Sequence, residues 1–131
     1  MTSTLEDYGK LAAMLANGGV GPNGARILPP AAIDRMRENQ LCPDALDDFD
    51  KFSGWSKAGN GYGLGVRTLL DRDRNSSFTE PGEFGWDGAL GCYLVADPAS
   101  GIGIFYAQQE GGSPWWSWHN MVKNLAVTCA L

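Results

Sequence analysis

Histidine is almost missing from this chain: His119 is the only one in 131 residues, so a metal site built on imidazole ligands has too few of them. Cysteine is scarce too. Cys42, Cys92 and Cys129 show no metal-ligand spacing, and the odd count leaves at least one thiol unpaired. Cys92 lies in an apolar strand pattern and Cys129 in an apolar helix pattern, so buried thiols are expected. No apolar run approaches the roughly 20 residues that cross a bilayer. The amino terminus lacks the basic and apolar segments of a signal peptide, because Met1-Thr2-Ser3-Thr4 leads directly to Glu6, Asp7 and Tyr8. The expected compartment is therefore the cytoplasm, with a periplasmic or secreted parent protein left open. Positive charge is the minority, 10 Lys and Arg against 15 Asp and Glu, a net charge of −5. Phosphate backbones would be repelled, which excludes nucleic acid as a partner.

What is present is enough for a core. The hydrophobic fraction is 44% and the charged fraction 19%, in a length suited to one domain. Ser3-Thr4-Leu5-Glu6 reads as a capping box opening a helix. Its apolar residues are Tyr8, Leu11, Ala12 and Leu15, and Gly18-Gly19 forms its left-handed stop. Pro29-Pro30 opens a second helix with Ile33, Met36 and Gln40-Leu41 on its apolar face. Residues 1–41 are thus a helical segment. Residues 42–60, with Asp44, Asp47, Asp48 and Asp50, read as a long connection with at most one short turn around Asp47 to Phe52. Those aspartates lack the glycine and terminal glutamate of a calcium loop, so a solvated acidic segment is expected.

The period then changes to two. Tyr62, Leu64 and Val66 alternate with Gly61, Gly63, Gly65 and Arg67, a strand whose bare face implies close approach of a neighbour. A polar loop (71–81) precedes strands over 83–86, 89–96 and 102–108, with Asp97 to Gly101 as a hairpin loop. Ser113-Pro114 caps a last helix with Trp118, Met121, Val122, Leu125 and Cys129 on its apolar face. The order predicts an α+β fold, an antiparallel sheet of three to four strands with helices packed on it, residues 61–131 holding the sheet and last helix. The chain is thus one partial domain spanning residues 1–131.

Four segments together carry a family resemblance. Ser3 to Tyr8 continuing to Met14 through Gly19 resembles a helix of class C β-lactamases and related esterases. Ile27-Leu28-Pro29-Pro30 with Ile33 and Met36 resembles the next helix, and Gly61-Tyr62-Gly63-Leu64-Gly65 its glycine-rich strand. Gly85-Trp86-Asp87-Gly88-Ala89-Leu90-Gly91 falls where that family carries its third catalytic motif. The chain therefore resembles the carboxy-terminal part of a serine β-lactamase-like hydrolase, a family that includes bacterial esterases and penicillin-binding proteins. The motif is Lys-Thr-Gly in many members and His-x-Gly or Trp-x-Gly in esterase-like ones. The resemblance implies a small-molecule ester or β-lactam substrate handled through an acyl-serine. It places Trp86, Asp87 and Gly88 on the substrate-binding wall and makes the backbone N–H of Ala89 the oxyanion donor. Such a donor is typically worth about 2.7–4 kcal/mol of barrier. A tryptophan in place of the lysine removes the cation that would hold a β-lactam carboxylate, and a carboxylate at Asp87 would oppose an oxyanion unless it points away. No cofactor and no metal are implied.

The same family needs a Ser-x-x-Lys nucleophile and base. No serine in these 131 residues has a lysine three positions on, and no Tyr-x-Asn is present. In the family both motifs precede everything seen here, so the expectation is a fragment of a longer protein, inactive alone. A fragment would uncover apolar faces and a sheet edge, favouring a homodimer or domain-swapped oligomer. Two other readings stand beside this one: a non-catalytic binding remnant, and a carbohydrate-binding module using Trp115 and Trp116. Packing within the last helix is the plainer account of those tryptophans.

Overall fold

A computed structural model of the chain describes residues 3–53, 58–111, 114 and 117–130. The elements run α1 (Leu5–Ala16), α2 (Pro30–Arg37), α3 (Pro43–Ser53), β1 (Asn60–Tyr62), β2 (Arg67–Leu69), α4 (Arg72–Asn75), β3 (Phe84–Asp87), β4 (Tyr93–Asp97), β5 (Ile102–Tyr106) and α5 (His119–Ala130). The α+β class is as expected. The sheet has five antiparallel strands in the order β1-β2-β3-β4-β5, one more than the sequence pattern suggested.

The extra strand comes from the glycine-rich segment. What reads as one strand over 61–67 is a hairpin: Tyr62 pairs with Arg67, and Gly63 to Val66 form the loop between them. Gly65 takes φ 79°, which turns the chain back, and Gly63 N–H donates to the Val66 carbonyl at 2.7 Å. The expected close approach is real. A Cβ on Gly63 would strike the backbone carbonyl of Met36, and one on Gly61 the side chain of Asn39. The hairpin is thereby seated on the end of α2.

Two other segments carry more helix than their composition suggests. The 42–60 connection contains the 11-residue α3, and the polar loop after β2 contains the one-turn α4. Asp44 sits in the first turn of α3 and Lys51 in its last, both favourable to the helix dipole, while Asp47 and Lys51 pair at 3.7 Å. Asp50 also pairs with Arg74 of α4, so the acidic run is held as a helix and joined to the sheet connection. The capping box of α1 is shifted by one residue. Thr4, not Ser3, is the N-cap, accepting the Asp7 N–H at 3.1 Å. Gly18 and Gly19, both at positive φ, stop α1 as expected.

The core lies on the sheet face covered by α1 and α2. Met14, Leu15 and Ala16 of α1 and Ile33 of α2 pack with Phe84 and Ala96, which are register partners on β3 and β4. Burying each large side chain of this kind stabilises the fold by about 1.5–3 kcal/mol. Gly103 of β5, the partner of Ala96, lets α1 lie directly on the sheet: a Cβ there would come within 2.6 Å of the Ala12 backbone. Beside it, Tyr8 stacks on Phe105 with ring centroids 4.6 Å apart.

The opposite face carries α5, and here the sequence pattern misleads. The residues that α5 buries are His119, Lys123 and Val127, spaced by four along one face. Met121 and Leu125, expected to face the core, are 65% and 64% exposed. Cys129 and Cys42 are also exposed and Cys92 is half-buried, so the expectation of buried thiols holds for none of the three in full. Lys123, 1% exposed, is drawn inward because its ammonium meets Glu83 at 2.7 Å.

Candidate functional site

The four residues singled out from the sequence occupy one hairpin. Trp86 and Asp87 end β3, Gly88 leaves the strand, and Ala89 begins the turn into β4. Strand alternation sends Trp86 and Asp87 to opposite faces. Trp86 is 37% exposed and meets Tyr62 edge-on, centroids 5.3 Å apart at 79°, so it forms a wall with the β1–β2 hairpin. Asp87 pairs in register with Tyr93 and acts electrostatically on the buried Arg67 and Tyr93. The carboxylate is thus coupled to the α5 face of the sheet.

The turn is built so that two of its amide groups are used and two are not. Gly88 N–H donates to the Cys92 carbonyl at 2.7 Å, and Gly91 N–H to the Gly88 carbonyl at 2.9 Å, with Gly91 at φ 93°. The N–H groups of Ala89 and Leu90 make no hydrogen bond among the described residues, and both residues are exposed. Three contacts support the turn from below. Glu110 N–H donates to the Leu90 carbonyl at 3.0 Å, Cys92 Sγ to the Gln108 carbonyl at 3.0 Å, and the His119 ring meets the Gly91 carbonyl at 2.9 Å.

Beneath this hairpin lies a buried polar network that sequence reasoning missed. Glu83 accepts from Arg67 Nη1 at 3.0 Å, from Lys123 Nζ at 2.7 Å and from Thr79 Oγ1 at 2.7 Å. Lys123 also donates to Asn75 Oδ1 at 3.3 Å. Arg67 lies over the Tyr93 ring, 4.9 Å from its centroid, and the same ring stacks on His119 at 4.3 Å. Burial alone would neutralise Glu83, but Arg67, Lys123 and the bonds from Lys123 and Thr79 together hold its carboxyl below the usual range. Lys123 is shifted down, first by burial and further by Arg67, against the pull of Glu83. Burial pushes the Tyr93 phenol up, with Arg67 opposing. Arg67 loses from burial but ends above its ordinary value through Tyr93, Glu83 and Asp87. The signal was present in the sequence as His119 and Lys123 one turn apart in the last helix, a polar pair among apolar residues. It was obscured because Met121, Val122 and Leu125 offer a more apolar stripe.

Trp115 and Trp116, the residues of the carbohydrate reading, lie outside the described residues. Among the described residues no group of three or more His, Cys, Asp and Glu side chains is placed to hold a metal ion. No described helix is long and apolar enough to cross a membrane.

This arrangement, a five-stranded antiparallel sheet with helices on both faces, is that of the serine β-lactamase/transpeptidase-like fold. Solved structures bear this out. The chain superposes on EstCE1, a hydrolase with promiscuous acyltransferase activity, with a TM-score of 0.62 at 23% identity, over 82% of this chain and 25% of that one. For the LovD6 mutant of simvastatin synthase (LovD) from Aspergillus terreus the TM-score is 0.70 at 14% identity, over 91% of this chain and 32% of that one. For a penicillin-binding protein homologue from Caulobacter crescentus it is 0.61 at 18% identity, over 92% and 30%. In sequence, the chain is 31% identical over 112 residues to Protein Rv1367c of Mycobacterium tuberculosis, spanning 27% of that protein's length. No family model matches the chain.

Proposed function

We propose that this chain is the carboxy-terminal part of a serine hydrolase or acyltransferase and supplies the oxyanion-side wall of its active site. The observation that carries the reading is the turn at Gly88 to Gly91. Ala89 is an exposed residue whose N–H makes no hydrogen bond among the described residues, while the amides on either side of the Ala89-Leu90 pair are engaged in holding the turn. An N–H fixed by a rigid hairpin can meet a developing oxyanion without reorganising, which is where such donors gain their strength. Gly88 leaves the approach to the backbone unobstructed. Trp86 and Tyr62 provide an aromatic wall for the apolar part of an ester or amide, and the Asp87 carboxylate acts on Arg67 and Tyr93. The nucleophile and its base would come from a separate segment carrying Ser-x-x-Lys, as in the family resembled.

A second reading is a non-catalytic module using the same aromatic wall of Trp86 and Tyr62. Mixing the full chain with a Ser-x-x-Lys-bearing amino-terminal portion of a protein of this fold separates the two. Turnover of a chromogenic ester or cephalosporin that depends on the chain supports the first. Absence of turnover and of any acyl-enzyme in mass spectra supports the second. Reading the coding DNA ahead of Met1 for an in-frame Ser-x-x-Lys is a quicker check of the same point.

A further inference from the structure

The buried His119 lies outside the family motif, yet it touches the turn that presents Ala89. We infer that His119 is a positioning residue for the oxyanion donor: its ring N–H holds the Gly91 carbonyl and so fixes the direction of the Ala89 N–H. This rests on the acyl-transfer reading of the turn.

The geometry supports the assignment in three ways. A carbonyl can only accept, so the 2.9 Å contact requires His119 Nε2 to carry the proton and donate to Gly91. Gly91 is the residue whose own N–H closes the turn on Gly88, so both polar groups of one peptide neighbourhood are held, the amide from within the hairpin and the carbonyl from α5. The ring is also locked in orientation. It stacks on Tyr93 at 17° between planes and meets Tyr106 nearly edge-on at 69°. One turn further along α5, Lys123 pairs with Glu83, the residue before β3. The helix is thereby pinned to the sheet at a second point, and His119 cannot drift from the turn without breaking a buried ion pair.

A structural histidine would bond its buried ring nitrogen in the same way, and the paired variants below separate that role from positioning. A catalytic histidine would have to reach substrate, but His119 is 4% exposed and lies behind the turn, on the sheet face carrying Tyr93. Its influence on chemistry would therefore pass through the backbone of residues 88–91. Small misplacements of an oxyanion donor are costly, and about 1 Å can lower a rate roughly 100-fold.

His119→Phe keeps the ring stack and removes the donor, whereas His119→Gln keeps an N–H at similar reach and removes the ring. In the reconstituted enzyme, with a chromogenic ester as substrate, His119→Phe is expected to lower kcat about tenfold or more with KM changed less than about twofold, and His119→Gln to restore most of kcat. On the full chain alone, amide exchange at Gly88 and Gly91 should quicken in His119→Phe and return towards wild type in His119→Gln. An active wild type with an unaltered kcat in His119→Phe overturns the inference and leaves the acyl-transfer reading standing. Equal losses in both variants also overturn it, because the ring and not the donor would then matter. An inactive wild-type reconstitution overturns the acyl-transfer reading, and this inference with it.

Discussion

Glu83→Gln tests the energetics of the sheet's second face. In the native protein one carboxylate, 1% exposed, serves two cations that are themselves buried, Arg67 at 3.0 Å and Lys123 at 2.7 Å. The glutamine keeps the volume and removes the charge, leaving two like charges enclosed without the carboxylate that both contact. Breaking a buried pair by removing one partner typically costs about 3–5 kcal/mol. For a chain of this length that corresponds to a melting temperature lower by roughly 10–20 °C. Lys123→Met is a different perturbation, because it leaves Arg67 and Glu83 as a balanced pair and loses one charge-assisted bond, about 1.5–3 kcal/mol. Urea unfolding followed by tryptophan fluorescence should therefore show the larger loss for Glu83→Gln, and the double variant should recover part of it. The pH dependence has a definite sign. The folded Glu83 carboxyl lies below its unfolded value near ~4.3, so the unfolded state binds more protons between the two. The contribution of Glu83 is complete above that unfolded value and is lost as pH falls through the lowered folded one. Equal destabilisation by the two single variants, or a Glu83→Gln loss below about 1 kcal/mol, would refute the network as described.

Other outcomes follow from particular contacts. Gly103→Val places side-chain carbons against the Ala12 backbone, where neither α1 nor the sheet can yield cheaply; a loss of about 1–3 kcal/mol or more is expected in the same urea assay. The outer face of α5 carries Met121, Leu125 and Cys129 with no charged side chain, since the one lysine of the helix is buried. Light scattering across a concentration series should show self-association through this face, weakened in a Met121→Lys/Leu125→Glu variant whose folding is little changed; a wild type that is monomeric throughout would contradict it.

The legible part of the fold is the part set by local chemistry. Gly18-Gly19, Pro29-Pro30 and the Asp97 to Gly101 loop define their turns and helix ends through backbone geometry alone, and the structure follows them. Trp86 could likewise be placed near a strand end, but the strand read from Ala89 begins only at Tyr93, because the Gly91 N–H closes a turn on the Gly88 carbonyl. What the sequence hid depends on long-range pairing. The hairpin at Gly63 to Val66 shows the same alternation as a strand, and only its seat on Met36 and Asn39 divides it. The inward face of α5 was misread because a buried lysine looks like a solvated one until Glu83, forty residues earlier, is seen beside it. His119 gave no signal of its link to Gly91, which is a contact across 28 positions.

The central claim is that the Ala89 N–H serves an oxyanion, and removing that one hydrogen tests it most directly. Ala89→Pro abolishes the donor at an exposed turn position, and Ala89→Gly is the control that retains it. In the chain completed with a Ser-x-x-Lys-bearing portion and given a p-nitrophenyl ester, acylation in Ala89→Pro should fall by about 10²–10³ while Ala89→Gly stays close to wild type. Acylation that proceeds equally in Ala89→Pro and wild type would contradict the account.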